Sequence, residues 1–222
     1  MKRKVVLAAA AGISLFGATT ANAAVNLVVN GGFENNTFGG TGPDGYYNIG
    51  PAGSGANHDI PDGFGWSVPV NNVDIVSNGR YGPNLSTGGA FNLDLVGYGS
   101  SGAISQTLAT IVGQQYLVSL DYSSNDGINN PTAIIAGDST IGTITGTHAW
   151  QNYTGLFTAT STSTTFMISE GVGGGNAGVF LDNINVSAVP EPATWAMILL
   201  GFGLIGFAMR KRSNVRTTVS YV

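Results

Sequence analysis

Between Ala24 and Val189 apolar residues recur at every second position, in short runs separated by clusters of glycine, asparagine and aspartate. A period of two places alternate side chains on opposite faces of an extended chain, so these runs predict strands and exclude amphipathic helices. In "AFNLDLVG", Phe91, Leu93 and Leu95 alternate with Asn92 and Asp94. In "QYLVSLDY", Tyr116, Val118, Leu120 and Tyr122 share one face, with Leu117, Ser119 and Asp121 on the other. "AWQNYTGLFTA", "STTFMIS", "GVFLDNINV", "VNLVVN", "VDIV" and "GAISQTLA" read the same way. "GGTGPDG", "SNDGINNP" and "GVGGGNAG" supply turn chemistry between them. Many short strands at this spacing predict an all-β sandwich of the jelly-roll kind.

The two ends of the chain follow a different logic. Lys2, Arg3 and Lys4 precede the apolar run Val5 to Phe16, and Ala21-Asn22-Ala23 forms a small-x-small cleavage site. Residues 1–23 therefore read as a signal peptide. At the other end Ala193 to Met209 is apolar and uncharged, with Trp195 near its start and Arg210, Lys211 and Arg212 after it. Such a run predicts one C-terminal transmembrane helix with its bases on the cytoplasmic side. The expected domains are thus the signal peptide 1–23, the sandwich 24–189, a C-terminal segment 190–212 and a short tail 213–222.

Pro190-Glu191-Pro192, Trp195-Ala196, the glycines Gly201, Gly203 and Gly206, and the Arg210-Lys211-Arg212 cluster together resemble the PEP-CTERM sorting signal of Gram-negative bacteria. The resemblance implies an exosortase-type processing enzyme as partner and a transient stay in the inner membrane. It also implies delivery to the cell surface or to an extracellular, exopolysaccharide-containing biofilm matrix. The tail 213–222 departs from that family, which usually ends close after the basic cluster.

Charge narrows the function of the sandwich. Eleven acidic side chains face a single base, Arg80, whereas the whole chain carries only −4 because its other bases lie at the ends. Such a surface repels nucleic acid. The chain has no cysteine, which excludes disulfides, Cys-zinc sites and thiol nucleophiles. His58 and His148 stand in no metal or triad spacing, and HExxH, GxSxG and Walker motifs are absent. Only two glutamates occur in the sandwich, neither in a recognisable catalytic context. The expectation is a protein that is not an enzyme, with a glycan-active hydrolase as the remote alternative.

A second resemblance spans the sandwich. Asn30-Gly31-Gly32-Phe33-Glu34, Trp66, Leu93-Asp94-Leu95, Gln106-Thr107-Leu108, Gly113 with Tyr116, and Leu181-Asp182-Asn183-Ile184 follow the order found in galactose-binding-like jelly rolls. Those include many extracellular carbohydrate-binding modules, so the resemblance implies binding of carbohydrate, here exopolysaccharide. A structural matrix protein without a specific ligand stays as the alternative. Residues 35–65 read as a long glycine-rich insertion in such a module.

Tyr46, Tyr47, Trp66 and Tyr81 are the candidate ligand-binding residues, because aromatic rings stack on sugar faces while polar tips hydrogen-bond hydroxyls. Asp182 shares strand parity with Phe180, Ile184 and Val186, so its carboxylate points toward apolar neighbours and needs a partner. With one base in the domain, a structural calcium ion is a suitable partner; backbone donors or water are the other. The family resemblance implies that the opening and closing motifs meet at that calcium, through Glu34 and Asp182.

Overall fold

The computed structural model describes residues 25–36, 44–85, 87–124, 130–171, 175–190 and 192–211, the side chains of 192–195 and 211 excepted. The expected signal peptide, Glu191, Arg212 and the tail 213–222 lie outside the described residues.

The strands, in chain order, are β1 (Tyr46–Ile49), β2 (Ser67–Val70), β3 (Val73–Ser77), β4 (Phe91–Asp94), β5 (Ala103–Ala109), β6 (Gln115–Ser124), β7 (Pro131–Ala136), β8 (Ser139–Thr145), β9 (Gln151–Thr158), β10 (Ser163–Glu170) and β11 (Val179–Ala188); the helix α1 (Pro192–Lys211) follows. They form a six-stranded sheet, β1-β3-β4-β11-β6-β9, and a five-stranded sheet, β2-β5-β10-β7-β8. From β4 onward the chain crosses between sheets at every step except the β7–β8 hairpin, which is the winding of a jelly roll. All pairings between these strands are antiparallel. Pro69 sits on β2, an edge strand, where a missing N–H costs no ladder bond.

The core lies between the sheets. Ile75, Leu93, Val118, Leu120 and Leu181 face inward from one sheet, and Ile104, Leu108, Ile134, Phe166 and Ile168 from the other. Every buried core residue falls between Val28 and Val186, so the sandwich has a core of its own, independent of α1.

Three local expectations change. "VNLVVN" is not a strand: Asn26 forms only an isolated bridge to Ser187, and its side-chain oxygen takes the N–H of Val28. The stretch 35–65 is not wholly an inserted loop, because it supplies β1, the edge strand next to β3. The parity of β11 breaks at a bulge between Asp182 and Asn185, where Asn183 has φ 50°. Val179 and Leu181 before the bulge, and Ile184 and Val186 after it, all face the core. Asp182 therefore points the other way, with Phe180, onto the outer face of the six-stranded sheet.

The bulge also explains the opening motif. Gly31 packs so closely on the backbone of Ile184 that a Cβ would run into its carbonyl oxygen, and the Ile184 N–H donates to Gly31 O at 2.9 Å. Only glycine fits there.

The helix α1 is apolar on every described side, with Met197, Leu199, Phe202, Leu204, Phe207 and Met209 all exposed. No helix among the described residues is long and apolar enough to cross a membrane. The segment expected to span the membrane thus forms a helix, and its described apolar side chains are exposed.

Candidate functional site

The outer face of the six-stranded sheet is polar yet buried. Asn48 on β1, Asp74 on β3, Asn92 and Asp94 on β4, Asp182 on β11 and Ser123 on β6 all lie on it and are shielded from solvent. A loop at 78–90 covers part of this face. Asn78 ties the loop together through Leu85 and Gly89, Trp150 donates its indole N–H to Pro83 O at 2.6 Å, and Gly82 leans on the Phe180 ring. Trp150 stacks on Phe180 at 6.4 Å, outside the central core.

Beyond the cover, a cavity of about 220 Å³ opens over β1, β3 and β4. Its walls include the rings of Tyr46, Tyr81 and Tyr98, and its polar groups include Asn48, Asp74, Asp94 and Asn176. The register explains the assembly: Asn48 pairs with Asp74, Asp74 with Asp94, and Tyr46 with Val76. Period two then places them on one face.

The tyrosines are held in different ways. Tyr81 adopts φ 62°, a left-handed conformation that a bulky residue rarely takes. Its hydroxyl donates to Asp44 O at 2.7 Å, and the Arg80 guanidinium sits 4.8 Å from its ring centroid. Tyr46 meets the Tyr81 ring edge-on at 6.1 Å. Tyr98, 71% exposed, stands on a loop fixed by Asn72, which accepts its N–H, and by Asn176, which accepts that of Gly99.

The carboxylates feel their burial. Asp74 is pushed up to about 6, chiefly by burial, while the Asn48 amide donating to it at 2.6 Å pulls the other way. Burial, then the nearby Asp74 and Asp44 carboxylates, raise the Tyr46 phenol.

The expected ligand-binding set is therefore divided. Tyr46 and Tyr81 reach the cavity. Tyr47, next along β1, points to the opposite face, where it packs against the core and lies edge-on to His58 at 5.1 Å. Trp66 is a core residue, 3% exposed, against Phe33 and Phe166, with its indole N–H donating to Asn30 O at 3.0 Å. It reads as a ligand platform in sequence because tryptophan serves both purposes; its burial removes it from the site. Asn48, Asp74 and Asp94 were not singled out as ligand-binding. Only strand register reveals them, and sequence alternation does not supply register.

Glu34 and Asp182 do approach each other. They flank the Gly88–Gly89 backbone: a Cβ on Gly89 would strike the Glu34 carboxylate, and one on Gly88 would strike Asp182 Oδ2. Glu34 Oε1 accepts the N–H groups of Ala90 and Phe91 at 2.8 and 2.9 Å. Asp182 Oδ1 accepts the Asn183 N–H at 2.7 Å, whereas its Oδ2 is buried without a hydrogen-bond partner among protein atoms. Burial pushes Asp182 up to about 8; Asn183 opposes this, and Glu34 and Asp121 add to it. Among the described residues no group of three or more His, Cys, Asp or Glu side chains could hold a metal ion. A cation here would draw on these two carboxylates and on backbone or amide oxygens. The orphaned Oδ2 fits that role.

Of the sorting residues, Pro190 follows β11, Pro192 opens α1, Trp195 lies in its first turn, and Arg210 and Lys211 close it.

The sandwich is similar to a solved family 16 carbohydrate-binding module, with 19% identity over 72% of this chain and 99% of that one, at a TM-score of 0.46. It is similar to a family 61 module solved in complex with β-1,4-galactotriose, with 16% identity over 74% of this chain and 99% of that one, at 0.45. It is also similar to a xylan-binding domain from Paenibacillus barcinonensis, with 12% identity over 57% of this chain and 87% of that one, at 0.43. No curated protein matches the chain. Residues 188–213 match the PEP-CTERM protein-sorting motif, and the chain therefore carries that motif directly behind its jelly-roll sandwich.

Proposed function

We propose that this protein is an exported, non-catalytic sandwich that binds carbohydrate, of the exopolysaccharide kind, and is sorted to the envelope or extracellular matrix. One observation carries the binding reading: the cavity over β1, β3 and β4 combines three tyrosine rings with buried amides and carboxylates. Sugar rings present apolar C–H faces and polar rims, which such a lining complements.

The test is titration of residues 24–189 with soluble oligosaccharides selected on a glycan array. Tyr81→Ala and Tyr46→Ala are each expected to weaken binding roughly tenfold, the loss of about 1.4 kcal/mol of stacking. Unaltered affinity in both variants would remove the cavity from the binding surface. Absence of any glycan binding would leave a structural matrix role.

The sorting motif implies processing by an exosortase-type enzyme, with the exposed apolar α1 holding the protein at the membrane beforehand. Replacing Pro190-Glu191-Pro192 by alanine is expected to leave export intact and to shift the protein into the membrane fraction at unprocessed size. Release of the variant at wild-type size and yield would overturn this.

A structural calcium shared by Glu34 and Asp182 belongs to the same reading. When bound, it would supply positive charge to a buried carboxylate that no base reaches. It would have no part in gripping the sugar, because the cavity is lined by other residues.

A further inference from the structure

We infer that the β5–β6 turn, tipped by Ile111 and Val112, is a second membrane contact that seats the sandwich on a lipid surface with its cavity turned away. The inference rests on the reading of α1 as the segment that holds the protein at the membrane, and it assigns the end of the sandwich that meets the lipid.

Exposed apolar side chains gather at the end of the sandwich where the chain leaves it. Ile111 and Val112 are 68% and 59% exposed, and Val25 is 68% exposed. Val189 is bonded to the root of this turn: its N–H donates to Gln115 O at 2.9 Å, and its carbonyl accepts from Gln114 Nε2 at 2.7 Å. The antiparallel bridge of Asn26 to Ser187 brings Val25 level with Ala188. The apolar turn thus stands at the point where the chain departs for α1. Charge follows the same pattern. Residues 103–119, 151–169 and 183–190, which build this end, contain no charged side chain, although the sandwich is strongly acidic. Asp138, on the β7–β8 turn, is set back: the neighbouring Gly137 N–H donates to Thr165 O, level with Thr107. Acidic surface is repelled by anionic headgroups, so an uncharged end is the part that can approach a bilayer.

The turn is also suited to a water-poor setting. Thr110 N–H donates to Thr162 O at 3.0 Å, Ile111 N–H to the Tyr116 hydroxyl at 2.9 Å, Gly113 N–H to Ala159 O at 2.8 Å and Gln114 N–H to Ile111 O at 3.0 Å. Backbone donors that are already paired cost little to take out of water. Tyr116, buried and stacked on Phe157, holds the turn in place. Immersing the two aliphatic side chains at the headgroup boundary removes them from water. No helix among the described residues is long and apolar enough to cross a membrane, so apolar area added beside α1 strengthens its hold. The strand direction then fixes the orientation. β11 runs from Phe180, opposite Asp94 of the cavity, to Ala188 at the exit. At about 3.3 Å per residue the two levels are roughly 25 Å apart, which leaves the cavity clear of the lipid.

The chain has no cysteine, so a single introduced thiol can carry an environment-sensitive dye. The experiment uses Val112→Cys, Leu204→Cys on α1 and Tyr98→Cys at the cavity, each in residues 24–222 mixed with phosphatidylcholine vesicles. The dyes at positions 112 and 204 are expected to shift to the blue and to be quenched by nitroxide-labelled lipid, while the dye at position 98 stays in water. Adding Ile111→Asp should return the dye at position 112 to water and leave that at 204 in lipid. If the dye at 112 stays in water while that at 204 enters lipid, the inference fails and α1 stands as the anchor. A blue shift at 112 without vesicles places a second copy of the chain on this turn, and the inference fails. Lipid contact at 112 that survives Ile111→Asp means that the turn is carried passively, and a dye at 98 in lipid removes the orientation; either result overturns the inference. Should none of the three dyes meet lipid, the anchoring reading falls with it.

Discussion

Trp66→Ala is expected to lower stability by about 3–5 kcal/mol, the usual cost of deleting a buried tryptophan. At about 2–4 °C per kcal/mol for a domain of this size, the melting temperature should fall by roughly 6–20 °C. The cause is local. Trp66 fills the space between Phe33 and Phe166, so its removal opens a cavity and orphans the Asn30 carbonyl that accepts its N–H. Trp66→Phe should recover most of the packing and lose only the hydrogen bond, about 1 kcal/mol. Glycan affinity of the folded fraction should not change, because Trp66 does not line the cavity. A thermal scan paired with titration separates the two roles. An unchanged melting temperature with lost binding would return Trp66 to the ligand site.

Chelation is the second large effect expected. A ligand that binds only the folded state stabilises it by RT ln(1 + [L]/Kd), about 2.7 kcal/mol at a hundredfold excess over Kd. That corresponds to roughly 5–11 °C. Dialysis against EDTA should lower the wild-type transition by this amount, and added calcium should restore it. Asp182→Ala should abolish the response, because it removes the one carboxylate oxygen that, among the described residues, is left buried without a partner. Asp138→Ala, on the exposed β7–β8 turn, should retain it. An EDTA-insensitive wild-type transition, after dialysis long enough to strip a tight site, would rule the calcium out.

The strands that could be read in the sequence are those whose alternation is strong and whose inward faces meet the core. Leu93 on β4, Val118 and Leu120 on β6, and Phe157 on β9 fall where period two puts them. β1 escaped notice because "YYNI" is four residues long and embedded in glycine, and it gains its place only by pairing with β3. Asp182 was expected among Ile184 and Val186, but one residue at positive φ, Asn183, reverses the parity. Its burial survives that error for another reason: the cover at 78–90 shields the outer face as well. The Glu34–Asp182 pairing was legible through motif resemblance. The Asp74–Asp94 pairing was not, since it depends on which residue of β3 faces which of β4.

β11 carries a mechanical consequence. It runs through the interior of its sheet and leads straight to Val189 and the sorting segment. Along β6 its pairing extends from Val179 opposite Ser124 to Ala188 opposite Tyr116, but along β4 only Phe180 and Leu181 are in register. The cavity lies on the β4 side. Tension between a gripped polymer and an anchored C-terminus would therefore cross the short β4–β11 seam, and the rate of forced unfolding would be set there. Glu34 holds the amides of Ala90 and Phe91 at the start of β4, and Asp182 sits on β11. A divalent ion between them would rivet that seam, and under the proposed function the force the domain withstands would then follow its ion supply.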